Sequence, residues 1–352
     1  MGQRSRVGQA WFAAATGVAA LVTAACTSTP PTLPTPALPT STGSTVSSGV
    51  VTPTTTSALP LPGKSHDWIV YQPAREGGLR IARTDTGGSY FQVDGPSGAL
   101  TNPDWSPDGT WIVFRRGVGN RSSVWRADAD GGQASSLLPC SDPCLVMDDP
   151  SFSPTGAQIA YASMDTEGVG TLETVELATG RRTVIAAPAR NDVFAQPRYS
   201  PDGRRLVTEL VHRDGGRDVS PVTGSSLVVV DLATTTVGPP MADPALFAEH
   251  SDWGSNGLIL FDRRLDPASE ATDVFTVKPD GSGLTRVTRL ADRGGSAGEP
   301  SFTPDGHVLF TAQTSATAEY ELWVTDLAGR QSRPAVPGAT IAGVHARMAR
   351  GA

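Results

Sequence analysis

Past residue 65 the chain is a succession of short apolar runs broken by turn residues. Runs at 111–114, 159–162, 206–210, 258–261 and 308–310 are rich in β-branched and aromatic side chains. Each has the length and composition of a β-strand. A second series follows about a dozen residues later, at 123–126, 172–177, 227–232, 273–277 and 321–325. Turn signals come next, as in Asp130-Gly131-Gly132, Thr179-Gly180, Pro279-Asp280-Gly281 and Ala328-Gly329. Gly and Asp-Gly supply the backbone angles that tight hairpins require. A short fourth strand closes the unit, clearest at 286–290.

Ahead of each first run stands a repeated phrase. It reads Asn102-Pro103-Asp104-Trp105-Ser106-Pro107-Asp108-Gly109, and returns around Phe152, Tyr199 and Phe302, with a worn copy around Trp253. The aromatic anchors Trp105, Phe152, Tyr199, Trp253 and Phe302 are separated by 47, 47, 54 and 49 residues. A period of that size, with four strand signals per copy, predicts a repeat architecture of four-stranded antiparallel blades. A sixth unit runs through 68–71, 79–83, Thr86-Gly87-Gly88 and 90–93, lacking only the leading phrase. Its inner strand is expected from the strand-like stretch 340–348. The fold class predicted is therefore all-β: a six-bladed propeller over about residues 66–349, closed by a blade shared between the N- and C-terminal segments.

The phrase Trp-Ser-Pro-Asp-Gly, followed by an apolar strand, a Val-Trp or Leu-Trp strand and an Asp-Gly turn, resembles the TolB-type six-bladed propeller repeat. The same repeat forms the propeller of prolyl-oligopeptidase-like enzymes. The resemblance implies a periplasmic or envelope binding role, since TolB-type proteins act as partners of envelope lipoproteins. Against the TolB-type pattern, the chain is expected to carry no extra N-terminal domain ahead of the propeller. Lactonases and lyases with six-bladed folds imply the alternative of metal-dependent catalysis.

Three domains are expected: 1–25, 26–63 and 64–352. Residues 1–25 have a basic start, Arg4 and Arg6, then an Ala/Val/Leu-rich stretch ending Leu21-Val22-Thr23-Ala24-Ala25-Cys26. That order is a signal peptide's, and its end resembles a lipobox, with Thr23 where Leu is usual. Cys26 is the expected lipidation site; the alternative is an ordinary secreted protein. Residues 27–63 carry eight prolines and no charge. Such a segment cannot bury enough apolar surface to fold, and is expected to be a tether of about 35 Å as a coil. The expected location is the outer face of a bacterial cytoplasmic membrane, lipid-anchored, with a monomeric domain held off the surface.

The formal charge of −7 becomes −9 without Arg4 and Arg6. That excludes a nucleic-acid partner and an electrostatically held membrane surface, both of which need clustered Lys and Arg. Cys140 and Cys144 sit in one tight polar loop; in an exported protein the default reading is a disulfide, with a metal pair the alternative.

Strand polarity turns the repeat into a map. The Ser-Pro-Asp-Gly and Asp-Gly turns share one monotonous face. The other face carries the irregular loops at 140–144, 212–225, 263–272 and 291–298, where binding usually resides. Three residues before each anchor stand Asn102, Asp149, Gln196, His250 and Glu299. They are expected to form a ring at the channel mouth that recognises a peptide or small ligand, as part of a face that binds a protein, peptide or cell-envelope component. The plainer reading is that each only begins a strand. A sharper one makes Asp149, His250 and Glu299, with Asn102, a divalent-cation site; no other cofactor is expected. No Gly-x-Ser-x-Gly elbow, phosphate-cradling loop or His-Glu-x-x-His occurs. A non-catalytic binding protein is therefore the leading expectation.

Overall fold

The computed structural model describes residues 68–74, 78–84, 90–93, 95, 97–189, 191–214, 221–341 and 346–348. The leader, Cys26 and the tether lie outside the described residues. Six sheets of four antiparallel strands are arranged in a ring.

Blade 2 contains Ala99–Trp105, Trp111–Val118, Arg121–Asp128 and Ser135–Leu138, in that order from the axis outward. Blade 3 repeats it with Cys144–Phe152, Gln158–Asp165, Gly170–Glu176 and Arg182–Ala186. Blade 4 has Asp192–Tyr199, Arg205–Arg213, Val222–Asp231 and Thr236–Val237. Blade 5 has Glu249–Trp253, Ile259–Arg264, Thr272–Val277 and Thr285–Arg286. Blade 6 has Ser296–Phe302, Val308–Gln313, Glu321–Thr325 and Arg333–Pro334. Blade 1 consists of Trp68–Tyr71, Arg80–Arg83 and Tyr90–Gln92, with Arg347–Met348 paired to the first of these.

Two boundaries differ from expectation. The outer strand of blade 5 ends at Arg286. Beyond it, Val287 donates to the Val274 carbonyl, but Val287 and Leu290 turn inward onto the core between blades 5 and 6 rather than alternating as a strand. The expected strand 340–348 is interrupted. Thr340 and Ile341 make isolated bridges to Glu321 and Pro73, residues 342–345 lie outside the described residues, and regular pairing resumes only at Arg347.

Each aromatic anchor packs between two blades. Trp105 joins Trp68, Val70 and Ile81 of blade 1, while Phe152 joins Val113 and Val124 of blade 2. Tyr199 and Trp253 do the same against blades 3 and 4. A residue burying a large ring against the preceding blade contributes on the order of 2–3 kcal/mol. The Ser-Pro-Asp-Gly turn that follows is built locally. Ser106 Oγ donates to Asp108 at 2.7 Å and accepts from the Trp111 N–H, and Gly109 takes φ +64°. Ser200, Asp202 and Gly203 repeat that arrangement. The role of these residues is to shape the turn.

Candidate functional site

All five inner strands that carry the repeated phrase are bulged at one place. In blade 2, Thr101 pairs with Arg115 and Asp104 with Val113, so Asn102 and Pro103 together oppose only Phe114. The same two-against-one count occurs at Asp149-Pro150, Gln196-Pro197, His250-Ser251 and Glu299-Pro300. A bulge leaves its extra residue outside the ladder, which is why proline, without an N–H, fits its second position in four of five blades. The first bulge residue has φ +52° at Asn102, +50° at Asp149, +51° at Gln196, +55° at His250 and +50° at Glu299. Each is one of the five residues singled out from the sequence.

Positive φ costs a residue with a β-carbon on the order of 1–3 kcal/mol unless its surroundings hold it there. Here carboxylates do the holding. The Gln196 N–H donates to Asp149 Oδ2 at 2.9 Å and the Glu299 N–H to Asp262 Oδ1 at 3.0 Å. The His250 N–H donates to Glu209 Oε1, and the Asp149 N–H to Asp148 Oδ1 at 2.7 Å. The first three contacts stitch blades 3 to 4, 5 to 6 and 4 to 5, a side chain of one blade accepting from the bulge of the next, while Asp148 and Asp149 share one strand.

The ring residues are more enclosed than a channel mouth suggests. Asn102, Asp149, Gln196 and Glu299 are buried, and His250 is half-buried. The bulge turns these residues in among the carboxylates of neighbouring strands. On the blade 2–3 side every oxygen of Asp148 and Asp149 is engaged. Asn102 Nδ2 donates to Asp148 Oδ1 at 2.8 Å and to Asp149 Oδ1 at 2.5 Å, and Arg115 Nε lies 2.8 Å from Asp148 Oδ2. Burial raises the pKa of both aspartates, and the charge of Asp148 raises Asp149 further; Arg115 and Arg198 oppose this.

On the blade 4–6 side, His250 Nδ1 lies 2.8 Å from Asp262 Oδ1. Glu209, Glu249 and Glu299 surround this pair. Burial pushes their carboxyls up to about 7, 8 and 7, against the lowering influence of His250. Burial also disfavours the imidazolium of His250, but Asp262, Glu299 and Glu209 outweigh it and hold that pKa well above 6.5. Among the described residues, the buried acceptors Gln196 Oε1 and Glu299 Oε2 and the Arg198 donors Nε and Nη2 have no hydrogen-bond partner.

The sequence singled out the bulge residues but missed their partners Arg115, Asp148, Glu209, Glu249 and Asp262. Arg115, Glu209 and Asp262 occupy one register, three residues beyond the first core residue of the second strand in blades 2, 4 and 5. A charge at that point of an otherwise apolar strand was the available signal. Of the suggested cation ligands, His250 Nδ1 is engaged by Asp262, and both Asp149 oxygens accept hydrogen bonds. Among the described residues no three His, Cys, Asp or Glu side chains converge as a metal-binding group. Cys140 and Cys144 are joined in a disulfide with Cα atoms 5.3 Å apart, and Arg121 donates to the Cys144 carbonyl and to Asp142 of that loop.

No family model matches the chain. Among curated proteins, the Tol-Pal system protein TolB of Alcanivorax borkumensis is 28% identical over 145 residues, 41% of this chain and 31% of that protein. The chain thus spans less than a third of that relative's length. Among solved structures, TolB from Acinetobacter baumannii superposes with a TM-score of 0.59 at 19% identity, covering 80% of this chain and 66% of that one. An oligogalacturonate lyase in complex with manganese gives 0.50 at 17% identity, covering 76% and 71%. In strand order and blade count the described domain is a six-bladed β-propeller, and its fold is similar to that of TolB.

Proposed function

We propose that this protein is a membrane-tethered, extracytoplasmic propeller that binds a protein, peptide or cell-envelope component at the channel-mouth face, without catalysis. One observation carries the reading. Five inner strands share a single bulged backbone yet present five different polar side chains at its first position. Identical scaffolding under variable chemistry is what a recognition surface requires. The likeness to TolB supports an envelope setting, because the relative's own name places it in the Tol-Pal system. Lipidation at Cys26 and a tether through residue 63 would hold the domain at the membrane.

The test is joint replacement of Asp149, His250 and Glu299 with Ala, followed by capture of partners from a cell-envelope extract. Loss of partners captured by the parent, with the circular dichroism spectrum kept, supports the reading. Equal capture by the variant overturns it.

A second reading, a metal-dependent propeller enzyme, is favoured by the likeness to the manganese-bound lyase. The side chains in place do not fit it well, since His250 Nδ1 and both Asp149 oxygens already have partners. Titration with manganese in a calorimeter separates the two: a stoichiometric heat abolished in the triple variant selects the enzyme.

A further inference from the structure

The disulfide among the described residues stands on the irregular face. Cys140 follows the outer strand of blade 2, and Cys144 is the first residue of the inner strand of blade 3. In the chain-entropy account a disulfide stabilises a fold by restricting the unfolded chain, and the effect grows with the length of the ring it closes. Here the sequence separation is 4, so the crosslink does little for the closure of six blades. Its effect is local. Ser141, Asp142 and Pro143 are exposed and both cysteines are half-buried, within reach of a small thiol.

A chain of contacts carries that local effect toward the bulge at Asp149. Arg121 ties the loop to blade 2, donating to the Cys144 carbonyl and to Asp142. The Thr166 N–H ties it to the hairpin of its own blade, donating to the Pro143 carbonyl at 2.8 Å. Further along the strand, Ser122 Oγ donates to the Met147 carbonyl at 3.1 Å and Arg115 meets Asp148. The strand is irregular at its disulfide end. Cys144 pairs with Asp165 and Val146 with Met164, so Leu145 is an extra residue, a second bulge ahead of the common one. The inner strands of blades 2, 4, 5 and 6 show the common bulge alone. A bulge disrupts the ladder where it occurs, so this strand end depends on the crosslink and on Arg121 to hold its place.

We propose that the Cys140–Cys144 disulfide is a redox latch: a dithiol reductant opens it within the folded protein, the loop leaves Arg121, and the inner strand of blade 3 loosens from Cys144 to Asp148. The exchange balances. A thiolate of the dithiol attacks one cysteine sulfur, the S–S bond breaks, the other cysteine leaves as a thiol and a mixed disulfide forms. The second thiol of the dithiol then closes its own disulfide and frees the attacked cysteine, so two electrons and two protons pass to the chain. Asp149, which accepts from Asn102 and from the Gln196 N–H, follows directly on the loosened stretch. The geometry of the ring toward blades 2–4 therefore follows the redox state. The inference does not depend on what the channel mouth binds.

The experiment incubates the full chain with dithiothreitol under native conditions, traps free thiols with N-ethylmaleimide and locates them by peptide mass spectrometry. Amide hydrogen exchange is read on the same samples. The expected result is that Cys140 and Cys144 both label while the circular dichroism spectrum is kept. Amides of residues 141–148 should then exchange at least about tenfold faster than in the oxidised protein, with the blade 6 strand Ser296–Phe302 unchanged. Cys140→Ser with Cys144→Ser should show the fast exchange without dithiothreitol, and Arg121→Met should speed exchange of the loop with the disulfide intact. Labelling only when the whole protein unfolds overturns the proposal, since the disulfide is then a staple of the fold. Labelling with unchanged exchange at 144–148 also overturns it, since the crosslink then holds nothing in place. Comparison of oxidised with reduced parent decides the matter even if a variant fails to fold.

Discussion

On the blade 2–3 side of the channel, Asn102, Arg115, Asp148 and Asp149 form a closed set in which three of the four aspartate oxygens accept a hydrogen bond and the fourth meets Arg115. On the blade 4–6 side, four buried carboxyls gather round His250, with Arg198, Arg264 and Arg347 acting on them, and two acceptors, Gln196 Oε1 and Glu299 Oε2, have no hydrogen-bond partner among the described residues. Both sides stand on the same bulged strand and the same positive φ. What differs is the residue at the bulge and the charge that faces it. A closed polar network fixes geometry, whereas an acid-rich one stores affinity for protons. The repeat therefore gives one backbone two physical roles, and substitutions should separate them.

The largest effect is expected on the closed side. Asp148→Ala removes the carboxylate that meets Arg115 and accepts from Asn102 and the Asp149 N–H, leaving a guanidinium and buried donors without it. Breaking one partner of such a pair costs about 3–5 kcal/mol. Glu299→Gln on the acidic side should cost under about 1 kcal/mol, because it removes a buried charge that has an unmatched oxygen. Urea unfolding of both variants measures the contrast; equal losses would erase the distinction between the sides.

Titration sharpens it next. Glu209, Glu249 and Glu299 have folded pKa values of about 7, 8 and 7, against 4.5 in the unfolded chain. Between those limits the folded protein retains protons that the unfolded chain has released, so these groups make stability fall as pH rises from 4.5 to about 8. His250 has the same sign. Its contribution is complete below 6.5 and is lost as pH climbs through its higher folded value. In the opposite sense, the Ser200 and Ser282 hydroxyls lower the pKa of Asp202 and Asp280, a contribution lost only as pH falls below about 4. The protein should be more stable at pH 5.5 than at pH 8.5, by on the order of 3 kcal/mol. Glu209→Gln with Glu249→Gln should flatten that slope, while Asp148→Asn should leave most of it. Thermal unfolding across pH reads both.

Much of this was legible in the chain because local chemistry repeats with the blade. Pro-Asp-Gly and the aromatic anchor mark the turn and the core, so blade number and register followed from spacing. The position three residues ahead of the anchor was legible for the same reason: the X-Pro pair that marks it is the bulge itself. The closed network was not legible, because it depends on which side chain of one blade reaches the bulge of the next. Glu209 lies within one apolar run and Asp262 just past another, and only the fold brings their oxygens to the His250 and Glu299 N–H groups of the next blade. Asp148 and Glu249 stand one residue before Asp149 and His250, and nothing in the repeat marks them. Burial, which sequence pattern does not report for a charged residue, gives them their properties.

Blade 5 allows the smallest and most local test. Its bulge is the one that lacks proline, carrying Ser251 where the others have Pro103, Pro150, Pro197 and Pro300. Ser251 is fully buried, and its Oγ has no hydrogen-bond partner among the described residues. His250 has the same positive φ as the residues that precede proline in the other blades, so the backbone already adopts the form that proline accepts. Ser251→Pro should remove an unmatched hydroxyl and reduce the freedom of the unfolded chain together, stabilising the protein by about 0.5–1 kcal/mol. A rise in Tm of about 2 °C is expected, with the pH slope unchanged because no titrating group is touched. A fall in Tm would mean that blade 5 departs from the common bulge for a reason rooted in the His250–Asp262 pair, and that the acidic side of the channel is set by its backbone as well as by its charges.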